Sequence, residues 1–468
     1  MEGPVELEEA PGLLDEDPGW CGSQKKQNIR RALLAWYSLE RRRLPWRGDP
    51  PPWSEDKGML RSQASKAEQC KQGKASSSSI TKFFGLKAAP REKTGKIEVI
   101  DLEDLEHPVQ SCPQNAYAVW VSEVMLQQTQ VEVVIGYWTR WMERFPSLQA
   151  LAAATADEVN NAWAGLGFYG RARRLHEGAR YVLEQHGGEV PQSREELLRV
   201  PGIGPYTAGA IASIAFNQPA AVVDGNVVRV FARLAALKGH SKCPALHKRC
   251  WKLAEDLVDP ERPADFNQAL MELGATVCTP LAPACSRCPL SATCKALKLV
   301  TAGQVGSVTD FPAKQSQKPR RQRILALAAV ADASDCWMLV RRPKTGLLAG
   351  QLDFPSVDVA DLEGTDDRKA ASVLRLQKLL VELGFRQEVT LTPLSAQVEH
   401  VFSHEHHTMQ VFRGCIAGHG EPSELKPNVS WLTLQQAEEA GITSGLQKVL
   451  HALLPTFPAK RAAKRQKH

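Results

Sequence analysis

SREELLRVPGIGPYTAGAIASIAF, residues Ser193–Phe216, is the stretch that decides the fold, because it predicts two helices joined by a tight hairpin. Ser193 and Glu196 have the spacing of a capping box, which starts a short helix that runs to position 200. The turn Pro201-Gly202-Ile203-Gly204 follows. Pro205 suits the first position of the next helix, where its missing N–H would have no partner in any case. The stretch therefore predicts a helix, a hairpin and a second helix.

The hairpin allows two interpretations. Gly202 and Gly204 let its backbone approach another surface closely, and the N–H groups at the start of the following helix can bind an anion such as a DNA phosphate. The alternative is an ordinary corner between two helices. The formal net charge of +6 suits a polyanionic partner but does not decide between the two interpretations.

Helical periodicity continues upstream of the hairpin. Apolar residues recur at steps of three and four between positions 121 and 145. The polar run Gln127-Gln128-Thr129-Gln130 interrupts them, and Thr129 has capping-box spacing with Glu132. We therefore expect one helix to end near Leu126 and another to start at Thr129, with the Gln-Gln-Thr corner exposed between them.

Two carboxylates are candidates for acid–base chemistry. Glu123 lies on an apolar helix face just before the polar corner, where burial would let it hold a proton near neutrality. Asp224 follows the apolar run Ala220–Val223 and precedes a helix. The simpler interpretations are a surface glutamate with a helix partner and a helix N-cap. If the two converge on one nucleotide, they form the carboxylate pair that glycosidic-bond hydrolysis needs.

Four of the eleven cysteines are clustered. Cys278, Cys285, Cys288 and Cys294 have the spacing C-x6-C-x2-C-x5-C, and prolines bend the loop that carries them. Four thiolates at this spacing can bind one metal centre. A structural zinc site, an iron–sulfur cluster and chance clustering are the three alternatives that the spacing leaves open.

The rest of the chain divides by composition. We predict an acidic disordered N-terminus (1–23), a mainly α domain (24–47 and 114–299, with the cysteine loop at 278–294), a disordered insert (48–113), a linker (300–323), an α+β domain (324–455) and a basic tail (456–468). In the α+β domain, Ile324–Val340, Val389–Leu394 and Met409–Cys415 are predicted strands, and Leu374–Leu383 is a predicted helix.

The two ends of the chain bear on its localisation. The first 20 residues hold seven acidic residues and no lysine or arginine, unlike secretory or mitochondrial targeting sequences. The basic tail is similar to a nuclear-import signal. We therefore expect a nuclear protein, with no mitochondrial isoform indicated by this N-terminus. We also expect a monomer without a membrane span.

Five motifs occur in order and together resemble one family. They are WVSEVMLQQTQ (120–130), GLGFY (165–169), the hairpin, VVDGN (222–226) and the cysteine loop. The chain is similar in these motifs to adenine DNA glycosylases of the MutY type, in a eukaryotic form. The resemblance implies a mainly α helix–hairpin–helix glycosylase with one 4Fe–4S cluster on the four cysteines, followed by an α+β Nudix-like domain.

The resemblance also implies roles for single residues. Glu123 matches the acid that protonates adenine, and Asp224 matches the carboxylate that stabilises the sugar cation, with Tyr206 and Asn226 beside them. Tyr206 stands where related bifunctional glycosylases carry a lysine, so we expect no strand cleavage through a Schiff base. The residues implied in binding adenine or DNA are Trp46, Arg47, Gln127, Gln128 (the wedge), Thr129, Leu166, Phe168 (commonly Tyr in the family), Tyr169, Gly202, Gly204 and Glu272.

The C-terminal domain resembles a Nudix fold that lacks its catalytic metal site. A working Nudix helix carries three glutamates that bind magnesium, whereas the matching stretch QKLLVELG (377–384) keeps only Glu382. We therefore expect recognition of the opposite base instead of hydrolysis. Phe402, Ser403 and His404 match the family's loop that senses 8-oxoguanine, although a plain polar hairpin corner is the alternative. The expected substrate is double-stranded DNA with adenine opposite 8-oxoguanine or guanine.

Two short motifs in the insert suggest protein partners. Ile80, Phe83 and Phe84 resemble a box that binds the sliding clamp, although Ser77 replaces the usual glutamine. A second set resembles a SUMO-interacting strand, which adds to a sheet edge; its apolar residues are Ile97, Val99, Ile100 and Leu102. Chance is the alternative for both motifs.

Two other functions remain open at this point. One is an endonuclease III-like glycosylase for oxidised pyrimidines, and Tyr206 in place of lysine argues against it. The other is a non-catalytic iron–sulfur protein that binds DNA, and the presence of both Glu123 and Asp224 argues against it.

Overall fold

The computed structural model describes residues 22–51, 115–315, 319–343, 345–362, 367–385, 389–416 and 426–454. The described residues divide into two compact units: those within Met1–Val119, Gln192–Arg194 and Pro205–Lys314 form the first, and those within Trp120–Pro191, Glu195–Gly204 and Gln315–His468 form the second. The predicted clamp-binding and SUMO-binding motifs lie outside the described residues. Among the described helices, none has the length and apolar character required to span a bilayer.

Helices dominate the chain as far as Thr301. In chain order they are α1 (Ser23–Glu40), α2 (Ala116–Leu126), α3 (Val131–Arg144), α4 (Leu148–Ala153), α5 (Ala156–Trp163), α6 (Gly170–His186), α7 (Arg194–Leu197), α8 (Pro205–Phe216), α9 (Gly225–Leu234), α10 (Pro244–Leu257), α11 (Pro263–Thr276) and α12 (Lys295–Thr301). Short 3-10 turns lie at Pro45–Arg47, Cys285–Arg287, Ser291–Thr293 and Val308–Asp310.

The first unit has one apolar core that positions Asp224. The buried faces of α1, α9, α10 and α11 meet in it, with Leu33 and Phe231 fully buried. Gly209 on α8 packs against the segment that leads to Asp224, where an added Cβ would collide with the carbonyl oxygen of Ala221. A glycine is therefore needed for this close approach.

The hairpin is confirmed, but the predicted end of the helix before it, at position 200, is wrong. α7 ends at Leu197 and a turn continues to Val200, whose carbonyl oxygen accepts from Ile203 N at 3.1 Å. α8 begins at Pro205, as the sequence predicts. Gly202 has φ +84°, and a Cβ there would lie 2.7 Å from the Cβ of Arg174, so both conformation and space require glycine.

The corner between α2 and α3 is partly as predicted. α2 ends at Leu126, as expected, but α3 begins at Val131 and not at Thr129. The predicted capping box of Thr129 is wrong, because Gln130 is the N-cap and no side chain caps the helix. The Thr129 hydroxyl instead donates to the carbonyl oxygen of Gln127 at 3.4 Å.

The C-terminal domain is a sheet with helices on both faces. Its strands are β1 (Arg321–Ala331), β2 (Trp337–Arg341), β3 (Leu352–Asp353), β4 (Ser356–Asp358), β5 (Thr392–Val401), β6 (Glu405–Cys415) and β7 (Val429–Leu432), and its helices are α13 (Arg368–Glu382), α14 (Leu434–Glu439) and α15 (Ser444–Leu453). The strand order is β3-β2-β1-β6-β5, with β4 against β1 and β7 against β2; β1 and β6 are parallel and the other pairs antiparallel.

Alternation along β1 separates the two apolar cores of this domain. Leu327 faces the core that includes Leu450 of α15, and Ala328 faces the core that includes Leu376 of α13. The predicted strand at 389–394 is wrong in its bounds, because β5 begins only at Thr392. Val389 and Leu391 are buried, so their apolar signal reflects core packing and not a strand.

Two predicted segment boundaries also change. The first residues of the predicted insert are held in place, because Asp49 accepts from the guanidinium of Arg41 and from Leu44 N. The predicted linker packs on the helical unit over much of its length, with Val308 and Phe311 buried in the core. The carbonyl oxygen of Phe311 accepts from Arg233 Nε at 3.0 Å.

Candidate active site and DNA-binding loops

Asp224 is the N-cap of α9 and has both carboxylate oxygens engaged. Its Oδ1 accepts from Val227 N at 2.7 Å, and its Oδ2 accepts from the Asn226 amide at 2.8 Å. The N-cap interpretation is thus correct as geometry, and the candidate helper Asn226 contacts the candidate carboxylate directly. Burial raises the pKa of Asp224 above its ordinary value, against the lowering effect of these two donors.

A third residue orients Asn226. Arg229 Nη2 donates to Asn226 Oδ1 and to the carbonyl oxygen of Gly274, each at 2.7 Å. Because the Asn226 oxygen faces the guanidinium, its amide nitrogen faces Asp224. Arg229, Asn226 and Asp224 therefore form a relay of hydrogen bonds that fixes the carboxylate.

The other two catalytic candidates lie on helices. Glu123 on α2 is only 5% exposed, so the predicted burial is confirmed. Tyr206 on α8 is half-buried, and its hydroxyl donates to the sulfur of Met271 at 3.4 Å. Thioether sulfur is a weak acceptor.

The residues assigned to the adenine pocket include a buried ion cluster. Glu272 accepts four hydrogen bonds: Arg42 N and Nε donate to Oε1, while Arg42 Nη2 and Arg47 Nη2 donate to Oε2. These bonds use the lone pairs of both oxygens. Glu272 therefore orients the guanidinium groups of Arg42 and Arg47.

The charge state of Glu272 follows from the same contacts. Burial alone would raise the pKa of Glu272, but the charges and hydrogen bonds of Arg47 and Arg42 lower that pKa to about 2. Arg47 also contacts Tyr37, over whose ring its guanidinium lies at 5.4 Å. The cluster is ionised at neutral pH and draws together residues that lie 225 to 230 positions apart in the chain.

Two loops carry the residues assigned to DNA contact. In the first, Gln128 is exposed and has φ 57°. In the second, Phe168 is 49% exposed with φ 49°, whereas Tyr169 and Leu166 are buried at 6% and 7%. Left-handed backbone is costly for residues other than glycine and is often found at functional sites. Of these residues, Gln128 and Phe168 are the ones that the backbone presents to solvent.

Arg171 links these two loops, and the sequence analysis missed it. Its guanidinium is 4% exposed and donates to oxygens of both loops. One signal was available, because Arg171 occupies the buried face of α6 in register with Leu175 and Val182. An arginine at such a position must find internal acceptors.

The four cysteines line one cavity of about 30 Å³, together with apolar residues and Arg233. Arg233 is 3% exposed and donates from Nη1 to Cys278 Sγ at 3.3 Å and to Thr279 O at 2.7 Å. A buried guanidinium against a thiolate compensates the negative charge of a centre bound by four thiolates. The four cysteine sulfurs around one cavity are a donor set that fits a metal centre held by thiolates.

The candidate opposite-base loop lies between β5 and β6. The Phe402 ring packs edge-to-face against the rings of His400 and His407, with centroids 4.5 and 4.7 Å away. His407 Nε2 contacts Glu405 Oε2 at 2.7 Å, which fixes the second imidazole. Ser403 and His404 at the tip are exposed. Phe402 thus anchors the loop, and the two polar side chains face solvent.

The fold and these sites define a class of DNA repair protein. Residues 121–256 match the HhH-GPD superfamily of base excision DNA repair proteins, and residues 326–452 match the NUDIX domain. A solved thermostable thymine-DNA glycosylase aligns at 23% identity and a TM-score of 0.41 over 59% of this chain and 97% of its own.

Relatives of known activity narrow the class. The adenine DNA glycosylase of Rattus norvegicus is 43% identical over 90% of this chain and 77% of its own length. The corresponding Homo sapiens enzyme is 43% identical over 72% of this chain and 68% of its own, and that of Schizosaccharomyces pombe is 36% identical over 75% and 82%. The chain belongs to the adenine DNA glycosylases of base excision repair, as the motifs of the sequence imply.

Proposed function

We propose that this adenine DNA glycosylase removes adenine paired with 8-oxoguanine or guanine in double-stranded DNA, by hydrolysis without strand cleavage. The single observation that carries the proposal is the relay from Arg229 through Asn226 to Asp224. It holds a carboxylate in one orientation at a helix N-terminus, as a group that must oppose a transient sugar cation requires.

The two carboxyls have separate roles in this proposal. Glu123 gives its proton to N7 of the adenine, and the C1′–N9 bond breaks with its electron pair leaving on the base. Asp224 stabilises the positive charge at C1′ until water adds there. The proton that this water releases restores the protonated Glu123. The buried environment of Glu123 supports its role as an acid that is protonated before reaction.

The cysteine loop is the proposed site of a 4Fe–4S cluster on Cys278, Cys285, Cys288 and Cys294. Such a cluster supplies four strong bonds that close the loop and stabilise the fold around it. Arg233 compensates its charge and holds the start of the loop.

Base recognition is assigned to three surfaces. Trp46 and Arg47 contact the adenine, and the exposed Ser403 and His404 read the opposite base. Gln128 fills the gap left by the extruded nucleotide, whose unstacking costs a few kcal/mol. Sliding-clamp binding through Phe83 and its neighbours and SUMO binding through 97–102 remain proposals on sequence alone. The Phe83→Ala, Phe84→Ala pair should abolish capture of the clamp, and unchanged capture would contradict that assignment.

An excision assay tests the activity. Duplexes with adenine opposite 8-oxoguanine, adenine opposite guanine, thymine glycol opposite adenine, or normal pairs are incubated with the protein, and abasic sites are quantified. We expect abasic sites in the first two only. Glu123→Gln and Asp224→Asn should each abolish the abasic sites, because both residues act on one bond. The double variant should therefore show no loss beyond that of either single variant. The control is Glu177→Gln, because Glu177 lies on α6 in an exposed ion pair with Arg173. Release of thymine glycol, or full activity of either catalytic variant, would contradict the assignment.

A further inference from the structure

Arg171 makes hydrogen bonds next to both non-glycine residues that have left-handed φ in the two loops assigned to DNA contact. In the first loop, its Nη1 donates to Gln127 O at 2.6 Å and its Nη2 to Thr129 Oγ1 at 3.2 Å, so the two contacts bracket Gln128. In the second loop, its Nη2 donates to Gly167 O at 3.2 Å, and its backbone N donates to Phe168 O at 2.8 Å.

The same guanidinium also closes the end of α2. Its Nη1 donates to Val124 O and Met125 O at 3.0 and 2.9 Å, which are among the last carbonyls of the helix and have no partner within it. A positive charge at this position also suits the helix dipole. Because Glu123 lies in this last turn, Arg171 fixes the helix end that carries the proposed acid.

The six acceptors of the two Nη atoms are neutral oxygens, four in the loops and two in α2. Burial lowers the pKa of Arg171 to about 10. Keeping a cation in such a place is unfavourable unless many hydrogen bonds compensate. A cap for α2 alone would need two of these bonds, so the bonds to the loops require a further explanation.

We propose that Arg171 is a positioning residue that sets the conformation and spacing of Gln128 and Phe168, so that both side chains enter the duplex together when adenine is extruded. The proposal rests on the proposed DNA contacts of these two loops. Left-handed backbone costs on the order of 1–2 kcal/mol for each non-glycine residue. The side-chain hydrogen bonds on either side of Gln128 and at Gly167, the residue before Phe168, hold both residues in this state before DNA binds, so that DNA binding does not have to order them.

Two variants of Arg171 test the coupling. Arg171→Met removes every side-chain hydrogen bond but keeps a long apolar chain, and Arg171→Lys keeps the charge with only three donors in a different geometry. The matched control is His176→Leu. His176 is 8% exposed on the same helix, and its hydrogen bonds go to the backbone of Ala152 and Ala154 instead of the two loops.

Three quantities are measured for each protein: the midpoint of urea unfolding, the single-turnover rate of adenine release, and the fluorescence of 2-aminopurine placed opposite 8-oxoguanine, which rises when that base unstacks. We expect Arg171→Met to lose about 100-fold in rate and most of the fluorescence rise, with binding of a matched duplex changed less than threefold. Arg171→Lys should lose about tenfold, while His176→Leu should lower the unfolding midpoint but leave the rate and fluorescence unchanged.

Each other outcome overturns the proposal. A rate and fluorescence rise within twofold of wild type in Arg171→Met would show that the loops do not need the guanidinium. Equal losses in His176→Leu at equal destabilisation would reduce Arg171 to a structural residue. An Arg171→Met protein that loses the rate but keeps a normal fluorescence rise would show that Arg171 acts only through the end of α2 that carries Glu123. Failure of the wild type to release adenine would contradict the proposed function. The fluorescence rise does not depend on adenine release, so it tests the positioning of Gln128 and Phe168 separately.

Discussion

The substitution Gly274→Ala is a sharp test of the relay that holds Asp224, because Gly274 packs against Asn226. Gly274 lies in α11, and an added Cβ would lie 2.7 Å from Asn226 Cβ and 3.1 Å from Asn226 O. Ordinary contact begins at 3.4 Å, so Asn226 has to move by about 0.7 Å, the difference between 3.4 and 2.7 Å. The φ angle of Gly274 is not left-handed, so the effect of alanine at this position is steric.

The magnitude of the effect follows from the hydrogen bond at stake. Asn226 donates to Asp224 Oδ2 at 2.8 Å, and a displacement of about 0.7 Å weakens this bond and turns the carboxylate. A misplacement approaching 1 Å costs up to about 100-fold in rate, so we expect a loss of about 10- to 100-fold in single-turnover release of adenine. Better helix propensity gains about 0.5–1 kcal/mol and overpacking costs about 1–3 kcal/mol, so the free energy of unfolding falls by about 2.5 kcal/mol at most.

The control for this test is Gly136→Ala in α3. The added Cβ would lie 3.4 Å from Arg140 Nη1, the mobile end of a long side chain, so that variant should keep its rate. Rates are measured with enzyme in excess over duplex at 25 °C. A Gly274→Ala protein that releases adenine within twofold of the wild-type rate would refute the claim that the Asn226 contact orients Asp224.

Three further predictions concern separate sites. In the folded protein Glu272 has a pKa of about 2, below its ordinary 4.5, so the ionised group adds about 3 kcal/mol to the free energy of unfolding. This contribution is complete above pH 4.5 and is lost as the pH falls toward 2. Glu272→Gln should therefore reduce the pH dependence of the urea unfolding midpoint between pH 4.5 and 2, and an unchanged pH dependence would contradict this. Arg233→Met should lower the bound iron per chain, measured by elemental analysis. Arg287 is exposed in the same loop, so Arg287→Met should leave the iron content unchanged. An Arg233→Met protein with the iron content of the wild type would contradict this prediction. Tyr206→Lys should acquire a borohydride-trapped DNA adduct that the wild type lacks, and trapping by the wild type would contradict hydrolysis without a Schiff base.

Local signals in the sequence predicted the parts of the site that are local in the structure. Pro205 starts α8, Leu126 ends α2, and Asp224 caps α9, because each of these depends on the backbone within one helical turn. Thr129 shows the limit of this reasoning. Its spacing to Glu132 allows a capping box, but the long-range contact with Arg171 competes for the same hydroxyl, and α3 begins two residues later.

Contacts between distant segments could not be predicted in this way. The salt bridge from Arg42 to Glu272 joins residues 230 positions apart, and nothing in the sequence near either residue specifies the partner. The contacts of Arg171 with the first loop span 42 to 44 positions and depend on how α6 packs beside α2. Val389 and Leu391 have the composition of a strand but belong to the core under α13. Apolar composition indicates that a segment is buried, and it does not specify which hydrogen bonds its backbone makes.

Helix α9 connects the proposed cluster site to the proposed catalytic carboxylate, and this gives the cysteine loop a role in geometry. Asp224 caps the helix, and Arg229 and Arg233 follow on one face at a spacing of four residues. Both arginines donate to the carbonyl oxygen of Cys278, at 2.8 and 3.3 Å. If the loop loosens, Arg229 loses that anchor, and the orientation of Asn226 and Asp224 that depends on it is lost too. We therefore expect the cysteine loop to affect the rate through geometry, by holding one end of the relay.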